Sequence, residues 1–349
     1  MTQFVVTARV DQATSVQETS KLFEGLNSLE RQGHIRFSIA VERARASYPR
    51  VVGLAVARDG VSRQIAIDLS DERWLVHLPD LERADLYFKR SLWPEALVEL
   101  SPQLIGKIRP FGLNNPQIRL STAAKLVSAR HAAKVGARQL WTDARQLLAL
   151  PTPQSFECPP DRPAEQLVLF QTRVWEPPNA DPLTTAINEE RVALVTALRR
   201  AFGDRFLGGL VPTPFAEKHY PGAMTRLPFS MRSYARLLKK PLVAVYSRGL
   251  HDSIAFKMGE YLAASRAIVG HKPQAVLPRQ LAEGFNYLSF SGPDECVANC
   301  DRLLSNPEAA GAMRRSNWEY YLDQVEPAKQ LLNVLQRAFD DSADAQQVS

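Results

Sequence analysis

Residues 241–270 read PLVAVYSRGLHDSIAFKMGEYLAASRAIVG. PLVAVY is a short apolar run of strand length, and SRGLHD is a polar loop. From Ser253 to Ala264, Ile254, Met258, Tyr261 and Leu262 recur at i, i+4, i+7 and i+8, which is one stripe of a helix turned towards a sheet. AIVG then reads as a second buried strand. Strand, helix, strand in immediate succession is the βαβ unit of a parallel sheet. Lys257 and Glu260 fall off the apolar stripe, so packing alone does not account for them.

The same rhythm extends in both directions. QLVLFQTRVW and RFLGGLV read as strands, with TTAINEERVALVTALRRAF and SMRSYARLLKK as helices, while NYLSF and a helical tail from Pro293 to about Phe339 follow. Near the start, FVVTARV and IRFSIAV flank SVQETSKLFEGLNSLERQ, whose Leu22, Leu26 and Leu29 have helical spacing. RVVGLAVA, RQIAIDLS and ADLYFKRS continue as short strands. Between Pro151 and Ala164 five prolines in 14 residues exclude a helix interior or a central strand and mark a linker. The expectation is α/β: two parallel-sheet domains in tandem with a helical end.

A chain of 349 residues with 45% hydrophobic content suits two well-buried cores. No run of about 20 apolar residues occurs and the first residues lack a signal-peptide pattern, so a cytoplasmic protein is expected. Cys158, Cys296 and Cys300 offer no paired thiolate cluster, and Cys296 and Cys300, spaced i, i+4, read as small core residues. The six histidines form no metal-binding pattern, so no protein-held metal is expected. The net charge of +6 fits an anionic partner or ordinary solubility.

Lys257 precedes Glu260 by three residues, the weaker orientation for an intrahelical ion pair. Ser253 can cap the helix, with Asp252 just outside it near the positive end of the dipole. Phosphates at this helix start would meet exposed N–H groups, the dipole and Lys257. A carboxylate one turn on suits a different group, and Glu260 could accept both hydrogen bonds of a ribose diol. The eight residues from Asp252 to Glu260 would span roughly 12 Å along a helix.

Asp252, seven intervening residues and Glu260, followed by YLAASRAIVG, resemble the signature of the retaining GT-B glycosyltransferases of the group 1 type, in the KxxEYLA form. GFNYLSFSGPDECVANCDRLLSNPEAAGAM and the final helix resemble that family's ending, and LVLFQTRVWEPPN resembles the first strand of its nucleotide-binding domain. The resemblance covers about 166–340. Asp stands where Glu is usual at 252, and RVDQATSVQETS replaces the glycine-rich loop after the first strand.

The resemblance implies a GT-B fold of two Rossmann-like parallel-sheet domains facing a cleft, with a C-terminal helix crossing back to the first domain. The divisions would be 1–164 for the acceptor domain, 165–325 for the nucleotide-sugar domain and 326–349 for the crossing helix and tail. It implies sugar transfer, with retention, from a nucleotide-diphosphate sugar to a glycan or lipid-linked acceptor in cell-surface polysaccharide or lipopolysaccharide synthesis. No cofactor is required beyond the donor. Arg173 and Lys257 would stabilise the leaving diphosphate, Asp252 would orient sugar hydroxyls, Glu260 would hold the ribose, and Ser253, Arg248, Asn286 and Tyr287 would lie near the donor.

Each residue has a plainer rival. Arg173 could pair with Glu176, Asp252 could only cap a helix, and Asn286 and Tyr287 could only open a strand. Lys89 and Arg90, at a strand end, could face the ligand cleft or form a solvated pair. Arg130, Lys134 and Arg138 recur every four residues before Trp141, which suits peripheral contact with an anionic membrane or a solvated face; no nucleic-acid partner is expected. A nucleotide-sugar-modifying enzyme such as an epimerase, or a non-catalytic glycan- or partner-binding protein of the same fold, remains the alternative.

Overall fold

The computed structural model describes residues 3–42 and 48–340. The chain forms two compact units, one comprising Met1–Pro153, Ala275–Gln280 and Leu322–Ser349, the other Gln154–Gln274 and Leu281–Tyr321. Residues 341–349 of the expected tail lie outside the described residues.

In the first unit β1 (Phe4–Val10), α1 (Val16–Arg31) and β2 (Ile35–Val41) form the expected βαβ crossover, followed by β3 (Val51–Arg58), β4 (Val61–Asp68), α2 (Leu78–Arg83), β5 (Leu86–Lys89), α3 (Pro102–Ile105) and β6 (Ile108–Pro110). The sheet order is β2-β1-β3-β4-β5-β6. Every neighbouring pair is parallel except the two made by β3, which runs against β1 and β4. The reversal has a local cause: Asp59 and Gly60 join β3 to β4 with φ of 52° and 80°, the paired left-handed conformation of a tight two-residue hairpin.

Two helices, α4 (Leu120–Ala132) and α5 (Ala137–Ala149), then cover part of α1. They are separate because Lys134 takes φ 59° between them. The break dissolves the Arg130, Lys134, Arg138 repeat. Arg130 is buried, its Nε donating to Asp143 at 2.8 Å and its Nη1 to the Asp11 carbonyl at 2.7 Å. The basic stripe expected to meet a membrane is therefore not formed. Lys89 and Arg90 are not a solvated pair: Lys89 Nζ lies 3.0 Å from both Asp68 Oδ2 and Ser70 Oγ, and Arg90 donates to the Leu69 carbonyl. Both are buried.

The short α6 (Pro153–Phe156) leads into the second unit. Its strands β7 (Glu165–Thr172), β8 (Phe206–Leu210), β9 (Pro241–Tyr246) and β10 (Ala267–Gly270) are all parallel, in the order β10-β9-β7-β8. The connecting helices are α7 (Pro182–Phe202), α8 (Pro214–His219), α9 (Met231–Leu237) and α10 (Phe256–Ala263), with α11 (Pro293–Ser305) and α12 (Pro307–Tyr320) after β10. Their starts follow the sequence: Asp181 caps α7 by accepting from Thr184 N–H at 2.8 Å, and Pro182 and Pro307 occupy first-turn positions that lose no helical bond. Val168, Phe170, Leu194, Leu198, Val243, Val245 and Val269 form one core with Cys296 and Cys300, which are buried free thiols as their spacing predicts.

From Leu322 the chain belongs again to the first unit. There α13 (Pro327–Arg337) packs against α1, and Gln330 Nε2 donates to the carbonyls of Phe111 and Leu113. No helix of the described residues is long and apolar enough to cross a membrane.

Candidate functional site

Parallel strands present their carboxyl ends on one edge of a sheet, and in open α/β sheets ligands gather there. In the second unit, β9 leaves through Ser247, Arg248 and Gly249 into a turn over Leu250–Asp252. His251 and Asp252 both take φ of 56°, a conformation uncommon for residues with a Cβ. Ser253 and Ala255 are extended, and α10 begins only at Phe256 with no side-chain cap. The expected cap by Ser253 is therefore absent. Ser253 is buried and closes the turn instead, donating to the Leu250 carbonyl at 3.0 Å and accepting from Gly249 N–H at 2.8 Å. The 12 Å helical span from Asp252 to Glu260 fails for the same reason, because the first part of that segment is not helical.

The stripe of Ile254, Met258, Tyr261 and Leu262 is buried as predicted. Glu260 is only 6% exposed, and its Oε2 is buried without a hydrogen-bond partner. Burial raises its pKa, with the Lys257 ammonium pulling the other way. Lys257 is half-buried, its Nζ 3.6 Å from the centre of the Tyr234 ring. The Tyr234 hydroxyl meets that of Tyr261 at 3.3 Å, and Tyr261 donates to the Val245 carbonyl at 3.1 Å. This fixes the platform under the ammonium. Burial pushes the Lys257 pKa down to about 8; Glu260 opposes the shift, and the cations Arg191 and Arg173 add to it.

Arg173 is exposed at the exit of β7 and makes no ion pair with Glu176. Its backbone is held from below by Arg191 of α7, a residue the sequence reading passed over. Arg191 is buried, with its guanidinium 4.3 Å from the centre of the Trp175 ring. Nε donates to Ser247 Oγ at 3.0 Å, Nη2 to the Arg248 carbonyl at 2.6 Å, and Nη1 to the Arg173 carbonyl. One side chain thus ties together the exits of β7 and β9. The signal was present: Arg191 sits four residues from Ile187 and from Val195, inside the apolar stripe of its helix.

Arg248 lies between two carboxylates, its Nη1 2.7 Å from Asp252 Oδ1 and its Nη2 3.3 Å from Glu190 Oε2. His271, immediately after β10, brings Nε2 to 3.6 Å from the same Glu190 oxygen and packs its ring on Phe290 with centres 4.4 Å apart. Burial raises the Glu190 pKa despite Arg248 and Arg191. Burial, reinforced by Arg248 and Arg191, lowers that of His271 to about 4. Neither Glu190 nor His271 was anticipated. A histidine directly following a buried strand was the available sign.

Asn286 stands apart from these groups. Its Oδ1 accepts from Ala282 N–H at 2.9 Å, and its Nδ2 donates to Ser316 Oγ and Asn317 Oδ1. Its side-chain amide is spent on fixing the turn to α12, so the plain turn reading fits it. Tyr287 is buried beside it and accepts at its carbonyl from Gly284 N–H, where φ is 81°.

No family model matches the chain, and no curated protein matches its sequence. Solved structures resemble it weakly. Sucrose-phosphate synthase from Thermosynechococcus elongatus is 12% identical with a TM-score of 0.39, covering 91% of this chain and 92% of its own. UDP-GlcNAc 2-epimerase from Neisseria meningitidis bound to UDP-GlcNAc is 10% identical with a TM-score of 0.42, covering 93% and 98%. The C-terminal domain of a glycosyl transferase group 1 family protein from Francisella tularensis is 12% identical with a TM-score of 0.33, covering 49% and 96%. Values this low assign neither family nor activity.

The strand exits of the second unit therefore carry two chemically different groups. Among the described residues Lys257 and Arg173 have no carboxylate in ion-pair contact, and Lys257 neighbours a buried carboxylate with an open oxygen. Around Arg248, by contrast, Glu190 and Asp252 already balance the guanidinium.

Proposed function

We propose that the protein is a glycosyltransferase of the GT-B kind that takes its sugar from a nucleotide-diphosphate donor bound at the strand exits of the second unit. The observation that carries this is the buried Glu260 carboxylate, one oxygen unpartnered, next to Lys257, which with Arg173 has no ion-pair partner among the described residues. A diphosphate neutralises the cations, and a ribose diol satisfies the carboxylate without bringing another negative charge to it. As the sugar–oxygen bond breaks, negative charge grows on the leaving diphosphate, and Lys257 and Arg173 stabilise it there. Asp252, held by Arg248, orients the turn that carries it. The acceptor is a glycan or lipid-linked glycan, and the anomeric configuration is retained.

The test is a panel of nucleotide sugars offered to the purified protein, read by binding and by release of nucleoside diphosphate. Wild type should bind at least one, and Glu260→Ala should weaken that binding at least tenfold while leaving the protein folded. A folded wild-type protein that neither binds nor turns over any of them would sink the reading.

A second reading rests on Glu190 and His271. A carboxylate facing an imidazole supplies acid–base groups that sugar transfer with retention does not require, and that an epimerase acting on the nucleotide sugar does. Product analysis without an acceptor separates the two: a transferase leaves the sugar's stereochemistry intact, an epimerase changes it.

A further inference from the structure

Three buried polar atoms without partners belong to one connected cluster of side chains in the second unit: Oε1 of Glu190 on α7, Nε of Arg248 after β9, and Nδ1 of His271 after β10. Their side chains are joined to one another by the Glu190–Arg248 and Glu190–His271 contacts, so the three atoms are presented from a single connected frame. Leaving such atoms unpaired is costly, and three together on three separate elements mark a place prepared for a ligand.

The chemistry of the atoms narrows what that ligand is. Glu190 Oε1 is an acceptor and Arg248 Nε a donor. His271 is neutral in the physiological range, so one ring nitrogen donates and the other accepts; with Nε2 turned to a carboxylate, Nδ1 is the accepting one. Formal charge is balanced, with Glu190 and Asp252 against Arg248 and Arg191. A second anion finds no spare cation here, and a cation finds no spare carboxylate. A pair of neighbouring hydroxyls donates twice and accepts once without carrying charge; a carboxamide does so too, and of the two it is the hydroxyl pair that the sugar of a nucleotide-sugar donor supplies.

We infer that Glu190, Arg248 and His271 form a subsite for adjacent hydroxyls of a neutral sugar, separate from the Lys257–Arg173 cations that meet phosphate. This rests on the nucleotide-sugar reading above, and it assigns sugar discrimination to Glu190 and His271, with Asp252 engaged by Arg248. Phe290, against the His271 ring, holds the imidazole in register.

The experiment measures dissociation constants for matched pairs: UDP with UDP-glucose, GDP with GDP-mannose, ADP with ADP-glucose, and dTDP with dTDP-glucose. The preferred pair is then measured against Glu190→Gln and His271→Phe, the latter keeping a ring to pack on Phe290. Each variant should cut the affinity gained from the appended sugar by roughly tenfold or more, while the bare nucleoside diphosphate binds within about twofold of wild type. If wild type binds a nucleoside diphosphate but gains nothing from any sugar, or the variants weaken both members of the pair equally, the subsite is overturned and the phosphate site stands. If no pair binds wild type, both inferences fall. Circular dichroism spectra matching wild type exclude misfolding as the cause of a loss.

Discussion

Lys257 and Glu260 can each be tested through their protons. The Lys257 pKa is lowered in the folded protein, so its charged form is the disfavoured one. Stability contributed by this group is greatest above the ordinary lysine value and falls as pH drops towards about 8. Phosphate affinity has the opposite sign, because it needs the ammonium: binding of a nucleotide sugar should weaken as pH rises through about 8, and this dependence should vanish in Lys257→Gln. Glu260 is a carboxylate whose pKa is raised, so its contribution is most favourable below the ordinary carboxylate range and is lost as pH rises above it. Glu260→Gln should accordingly be about 1 kcal/mol more stable than wild type near pH 8, seen as a melting temperature higher by roughly 2–4 °C, while binding the nucleotide more weakly. A variant less stable than wild type and unchanged in binding would show that the carboxylate serves the fold.

The sequence exposed this pair because two charges stood off a regular apolar stripe, among small and apolar residues, where packing gave them no task. It concealed Arg191 for the converse reason: an arginine within a helix reads as solvent-facing until the carbonyls it reaches are known, and these belong to segments far away in the chain. Arg266, just before β10, was hidden too: it is wholly buried, with its guanidinium on the carbonyl of Ala264 two residues back and on that of Pro241 at the start of β9.

Helix and strand existence followed from periodicity, whereas connections and starts depended on single residues. The antiparallel β3 was written in Asp59-Gly60, a hairpin signal that the apolar runs on either side overshadowed. The start of α10 could not be read from its stripe, because Ile254 is buried from the extended segment before the helix as effectively as from within it. Arg191 gives the corresponding prediction for elements. Arg191→Ala removes donors from three acceptors at the exits of β7 and β9 and should cost about 3 kcal/mol in denaturant unfolding. Arg191→Lys restores charge but cannot span all three, and should recover only part of it. Glycines make a second test. A Cβ on Gly25 would lie 2.4 Å from the Pro327 carbonyl oxygen, so Gly25→Ala should force α1 and α13 apart and raise hydrogen exchange along both helices.

The two α/β units were legible because the proline-rich stretch between Pro151 and Ala164 separates two stretches of alternating strand and helix. That the first unit also owns Ala275–Gln280 and the chain from Leu322 was not legible from periodicity, which reports a helix and not what the helix packs on. Removing residues from Leu322 onward deletes nothing of the second unit. It should nevertheless strip protection from the amides of α1 and its sheet in hydrogen exchange, while the amides of β7, β9 and β10 keep theirs. The same arrangement constrains synthesis. α1 is made before the second unit, but the helix that packs on it, α13, is made after the whole of that unit. The first unit therefore cannot finish folding until the second has been made, and α1 must keep its apolar face from other chains while all of the second unit is synthesised.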